Sequence, residues 1–153
     1  MSTTIKTITG SILNDSIAEG IAVFVQEEGK YKPHFQKAGW RFLPTPDVRI
    51  QPLNKGIAKY LICLDNERVH GVESVDAMRT QVYTTLDAFA KAGVKTVAMN
   101  GIRCDDLPDR NIRPEAYQMR FVEEYIAGHP DAFDIVYLVD LRGGFNPAQL
   151  KNQ

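Results

Sequence analysis

Apolar runs closed by glycine or asparagine alternate along the chain with stretches whose apolar residues recur every three or four positions. Ile5–Thr9 is a short β-rich run that ends at Gly10. Ile21–Val25 (IAVFV) follows Gly20 without a polar break, which is the pattern of a strand buried on both faces. Tyr60–Leu64 (YLICL), Thr96–Met99 (TVAM) and Phe133–Val139 (FDIVYLV) predict three more strands. Asn100-Gly101 breaks the second of these and Gly143-Gly144 the third. Between them lie two helical periods. The first runs from Ser74, a plausible N-cap, to Ala92, with Val75, Met78, Val82, Leu86, Phe89 and Ala90 on one face and Gly93 as a left-handed cap. The second starts at Pro114, whose missing N–H costs nothing in a first turn, and runs to about Ala127, closed by Gly128. Its inner stripe is Tyr117, Phe121, Val122, Tyr125 and Ile126.

Gln26–Gly56 shows no clean period and contains Pro33, Pro44, Pro46 and Pro52, so it reads as a long loop, of a length that in a compact domain marks either a functional segment or an element whose pattern is obscured. Within it, Asp47–Ile50 is expected to form a short edge strand, where flanking prolines are tolerated. Strand and helix otherwise alternate, which argues for an α/β domain. Right-handed crossovers from Tyr60 to Val139 would make the three later strands parallel. One domain over residues 1–153 is expected.

Composition narrows the function classes. Lys plus Arg is 18 and Asp plus Glu is 19, so no global basic field draws the chain to nucleic acid or an anionic membrane. The opening MSTTIKTITG is not a secretory signal, and no apolar run approaches the about 20 residues that span a bilayer. A cytoplasmic protein is expected. Cys63 and Cys104 form neither a zinc spacing nor a disulfide framework, and no metal or cofactor motif is present. The histidines His34, His70 and His129 are scattered; His129 suits a helix C-terminus.

The stretch from Asp47 to Asp140 resembles the macrodomain, the ADP-ribose-binding α/β fold. The resemblance lies in the order VRIQP, KYLIC, LDAFAKAGVKTVAMNGI and EAYQMRFVEEYIAGHPDAFDIVYLV, and ITGSIL before IAVFV is similar to the family's opening strand and turn. It implies a three-layer domain with a mixed, mainly parallel sheet flanked by helices, and a nucleotide-type ligand. Gly10, Ser11 and Ile12 stand at the family's Gly-Asp-Ile turn, with serine in place of the aspartate that accepts from the adenine amine. Gln26-Glu27-Glu28 replaces the family's asparagine-rich segment, and of its second phosphate loop only Gly101 is kept.

Ligands of open α/β sheets sit outside the C-terminal strand ends. If the strands are neighbours, Cys63–Arg68, Asn100–Arg113 and Asp140–Phe145 form one crevice. The middle loop carries Asn100, Gly101, Ile102, Arg103, Cys104, Asp105, Arg110 and Arg113 ahead of a helix start. Arginines beside free helix N–H groups suit phosphate or carboxylate. The plainer reading is that they pair with Asp105, Asp106 and Asp109 on a solvated loop, since surface ion pairs are common and weak. Asp105-Asp106 as a metal or acid–base pair lacks a third ligand at a recognisable spacing, and Cys104 as a nucleophile lacks a nearby histidine. Gly143 and Gly144 permit close backbone approach and Phe145 can stack on a base, but paired glycines are first of all turn formers, so a tight turn with the ring folded back onto the core is the plainer reading. Gly29–Arg49 interleaves basic and aromatic residues, which reads as a covering flap or a subunit interface more than a nucleic-acid surface.

These readings point to a binding module for a nucleotide-like or phosphorylated small molecule. A hydrolase of an ADP-ribose-type ligand acting through Asp105, Asp106 or Cys104, and a scaffold or homo-oligomer built on the 29–49 flap, are the alternatives. No catalytic residue is assigned.

Overall fold

The computed structural model describes residues 2–66, 72–104 and 106–145. The elements run β1 (Thr4–Thr9), β2 (Gly20–Val25), α1 (Glu28–Ala38), β3 (Ile50–Lys55), β4 (Ala58–Asp65), α2 (Val75–Lys91), β5 (Thr96–Met99), α3 (Pro114–Gly128) and β6 (Ile135–Asp140). The six strands form one sheet in the order β1-β6-β5-β2-β4-β3. Every neighbouring pair is parallel except the edge pair β3–β4, which is antiparallel.

The unbroken apolar run of β2 follows from its central place. Successive strand side chains point to opposite faces, and β2 feeds a different core on each. Ala22 and Phe24 pack with Met78, Val82, Leu86 and Phe89 of α2 and with Phe121, Val122 and Tyr125 of α3. Ile21, Val23 and Val25 pack on the other face with Phe35 of α1, Trp40, Ile12 and Ala18. The result is three layers, with a mixed, mainly parallel sheet between helices. The parallel arrangement of β4, β5 and β6 matches expectation, but β2 lies between β4 and β5. The ends of β5 and β6 are neighbours as expected, whereas the end of β4 is separated from them by Gln26-Glu27, which follows β2.

Helix signals at α2 are realised in detail: the Ser74 hydroxyl accepts from Ala77 N–H at 3.0 Å, and Gly93 has φ of +76°. The α3 terminus closes without a left-handed glycine. There His129 N–H donates to Ile126 C=O and its ring stacks on Tyr125 with centroids 4.0 Å apart.

Two expectations are corrected. Gln26–Gly56 is not a long loop, because it contains α1 and β3. Pro33 sits inside α1, and Phe35 is the helix's fully buried residue, so it shows neither an uninterrupted helical sequence nor an apolar stripe. Gly39, with φ of +74°, ends it, and Trp40 N–H returns to Phe35 C=O at 2.9 Å. The edge strand lies at Ile50–Lys55 rather than Asp47–Ile50. Asp47 is drawn into a local turn by Thr45 and Arg49 instead. Pro52 fits β3 because an edge strand has a ladder on one side alone. Among the described residues, no helix is long and apolar enough to cross a membrane.

Candidate functional site

A cavity of about 620 Å³ opens at the C-terminal ends of β2, β5 and β6. The turn after β1 and the first turns of α1 and α3 complete its walls. Its floor is a hydrogen-bond network that begins with Asn100, the residue after β5. Asn100 Oδ1 accepts from Phe24 N–H at 2.7 Å, and Nδ2 donates to Phe24 C=O at 3.1 Å and to the Tyr31 hydroxyl at 3.2 Å. The Gln26 side-chain amide donates to the same hydroxyl and to Gly101 C=O, each at 3.3 Å. From α3, fully buried Gln118 receives Ile102 N–H at 2.7 Å and donates to Asn100 C=O at 2.9 Å. Three side-chain amides therefore fix the loop 100–102 from both sides. With both hydroxyl lone pairs engaged, Tyr31 turns its own proton elsewhere. Burial holds the Tyr31 phenol above its ordinary range; the Asn100 bond opposes that, and the Asp140 and Glu27 carboxylates reinforce it.

The charged walls have opposite character. On the β2–α1 side, Glu27 pairs with Lys30 at 3.1 Å and with Arg103 at 3.3 Å. On the β6–α3 side stand Asp140 and Glu115. Asp140 Oδ2 accepts Arg142 N–H at 2.9 Å and Gly144 N–H at 2.8 Å, which closes the turn after β6. A Cβ on Gly144 would lie 3.0 Å from Glu115 Oε1 and 3.2 Å from Asp140 Oδ2, so the two carboxylates flank one point. Burial raises Glu115 above the ordinary carboxylate range, and Asp140 adds to this; a backbone hydrogen bond and Arg113 oppose it.

The sequence candidates are divided by this geometry. Gly10, Ile12, Asn100, Gly101, Ile102 and Arg103 line the cavity. Ser11 is exposed outside it, and its hydroxyl accepts the local Leu13 N–H at 3.1 Å. Cys104 is buried behind the loop in a bridge to Val72. Arg110 and Arg113 are exposed and lie off the lining, with Arg113 as the N-cap residue of α3. Gly143 and Gly144 form the turn, and Phe145 is 1% exposed, its ring 3.9 Å from where a Gly101 Cβ would sit. Asp105 and His70 lie outside the described residues. Burial pushes the Cys63 thiol, on β4, up to about 12, in keeping with a packing role. Among the described residues, no three His, Cys, Asp or Glu side chains cluster as metal ligands would.

Sequence reasoning did not assign Gln26, Lys30, Tyr31, His34 or Glu115 to the site, and all line the cavity. The usable signal was the spacing of Lys30, Tyr31 and His34, which share one face once the segment is helical.

Solved structures share this architecture. The Trypanosoma brucei macrodomain in complex with ADP-ribose superposes with a TM-score of 0.63 at 12% identity, over 96% of this chain and 68% of that one. The fold is that of a macrodomain. The macrodomain of Thermus aquaticus DarG gives 0.58 at 9% identity, over 90% and 99% of the two chains. The macro domain of ganglioside induced differentiation associated protein 2 gives 0.55 at 12%, over 97% and 83%. No protein-family model and no curated protein sequence matches the chain. The macrodomain likeness is thus one of fold, at 9–12% sequence identity.

Proposed function

We propose that residues 1–153 form one domain that binds a nucleotide-like, phosphorylated small molecule in the cavity at the strand ends. One observation carries the reading: Gly10 and Ile12 after β1, Gly101 to Arg103 after β5, and Asp140 at the end of β6 open onto a single hollow of about 620 Å³. That volume is in the range of small-molecule sites, roughly 300–1,000 Å³. The macrodomain fold supports the same reading, since the Trypanosoma brucei macrodomain has been solved with ADP-ribose and with ADP. Calorimetry and thermal shift with ADP-ribose, ADP, adenosine and inorganic phosphate test it. Binding of at least one phosphorylated compound is expected. Absence of heat and of stabilisation with all of them at millimolar concentration overturns the proposal.

A second reading is hydrolysis of a bond to such a ligand. It is favoured by the paired Glu115 and Asp140, because two carboxylates whose environments differ can divide acid and base roles. Of the residues first considered for this chemistry, Cys104 and Asp106 do not line the cavity, and Asp105 lies outside the described residues. Turnover that is unaffected by Glu115→Gln and Asp140→Asn would remove this reading.

A further inference from the structure

The two charged walls of the cavity differ in what they can exchange. Glu115 and Asp140 crowd one end with like charge, and the first turn of α3 carries its acid there. An incoming anion meets repulsion at that end. At the other end Lys30 and Arg103, from different elements, both line the cavity and both turn to the same carboxylate. Glu27 supplies it, with Oε2 on Lys30 and Oε1 on Arg103. Its two oxygens thus engage, from beside the lining, the two cations that oxygens of a phosphoryl group in the cavity could engage instead.

The pairs are formed at the surface: the side chains of Lys30 and Arg103 are 75% and 47% exposed, and that of Glu27 is 35% exposed. Exposed ion pairs contribute little, so an anion that binds both cations can displace the carboxylate. Arginine is suited to gripping phosphate through two N–H groups, and lysine adds a mobile point charge. Gly29, next to Lys30, has open space where a side chain would be and also lines the cavity. Glu27 precedes the first turn of α1 and makes no side-chain cap bond there, so its carboxylate can swing away without uncapping the helix.

We infer that Lys30 and Arg103 form the anion site of this cavity, and that Glu27 is its resident competitor, holding the site until a phosphoryl group replaces it. This deepens the proposal above, because it places the charged part of the ligand at the β2–α1 end of the cavity and makes the site self-restrained. It also predicts that a single neutral substitution improves binding.

Pyrophosphate is titrated into the full chain at constant ionic strength and followed by backbone-amide NMR. Wild type, Glu27→Gln, Glu28→Gln, and Glu27→Gln combined with Lys30→Gln and Arg103→Gln are compared. Glu28→Gln changes the net charge equally and leaves both ion pairs in place. The largest shifts are expected around Gly29, Lys30 and Arg103. Glu27→Gln should bind roughly two- to tenfold tighter, the scale of releasing two weak pairs, and the combined variant should lose that gain. Equal affinity in Glu27→Gln and wild type overturns the inference, as does an equal gain in Glu28→Gln or a set of shifts centred on Glu115. A parallel ADP-ribose titration separates the two proposals. Pyrophosphate binding with the predicted gain but no ADP-ribose binding leaves the anion site and removes the nucleotide reading. ADP-ribose binding that ignores Glu27→Gln does the reverse.

Discussion

The carboxamide of Asn100 satisfies the backbone of Phe24 in place of the two peptide groups that a longer β5 would supply, accepting its N–H at 2.7 Å and donating to its C=O at 3.1 Å. The ladder between β2 and β5 has three register pairs and ends at Ala22–Met99. The side chain therefore extends the sheet by one rung at the point where the cavity begins. Asn100→Ala would leave both Phe24 groups buried without partners, at about 1–3 kcal/mol for each such loss before relaxation. A net destabilisation of about 2–4 kcal/mol is expected from urea unfolding. A change below about 0.5 kcal/mol, the range of ordinary surface substitutions, would mean that the rung is dispensable.

Gln118 holds the same loop from the helical side. Gln118→Leu keeps the size and loses the bonds to Ile102 N–H and Asn100 C=O. The expected cost is again about 2–4 kcal/mol, since two backbone groups lose buried partners. Hydrogen exchange gives the sharper readout. The Ile102 amide should exchange far faster relative to the α2 amides than in wild type. An unchanged ratio would argue that the loop is held by something other than this glutamine.

The fold was legible where burial dictates composition. Ile21–Val25 reads as a strand because both of its faces are cores, and Ser74 and Gly93 read as helix ends because capping is local chemistry. The place of β2 between β4 and β5 was not legible, since strand order depends on contacts far apart in sequence. Helix α1 was hidden by Pro33 and by having Phe35 as its fully buried residue. That omission carried over to the site. Lys30, Tyr31 and His34 look like a basic–aromatic segment until helical geometry puts them on one wall of the cavity. Gly101 to Arg103 were legible as a strand end. The inward ring of Phe145 was legible as a glycine-pair turn folding back onto the core. The meeting of Glu115 with Asp140 was not, because it depends on the turn that Asp140 closes through Gly144.

Two glycines offer opposite outcomes. At Gly20, which opens β2, an added Cβ would lie 2.8 Å from the Phe89 ring and 2.9 Å from a Val94 methyl. Gly20→Ala therefore overpacks the contact between β2 and the end of α2, and a loss of about 1–3 kcal/mol is expected. At Gly29, in α1, an added Cβ meets nothing within 4 Å. Gly29→Ala should gain about 0.5–1 kcal/mol from the lower helix propensity of glycine. Paired urea midpoints test both, and a stabilised Gly20→Ala would show that the packing there is looser than the geometry indicates.

The acidic wall makes stability depend on pH in a defined direction. Burial and the Asp140 carboxylate raise Glu115 from its ordinary 4.5 in the folded chain, although Arg113 and a backbone hydrogen bond oppose them. A carboxyl group that binds its proton more tightly when folded contributes stability that is fully present below the unfolded value and is lost as pH rises through the folded one. Glu115→Gln fixes the neutral form at every pH. The variant should therefore be more stable than wild type at neutral pH, by about 0.5–1 kcal/mol for a partly exposed charge in contact with another. The advantage should shrink on acidification and level off below about pH 4.5. Urea midpoints of both proteins between about pH 4 and 8, which brackets the carboxylate range, decide the matter. A difference that stays constant, or that widens toward acid, would mean that Asp140 and burial do not weaken the charged form of Glu115.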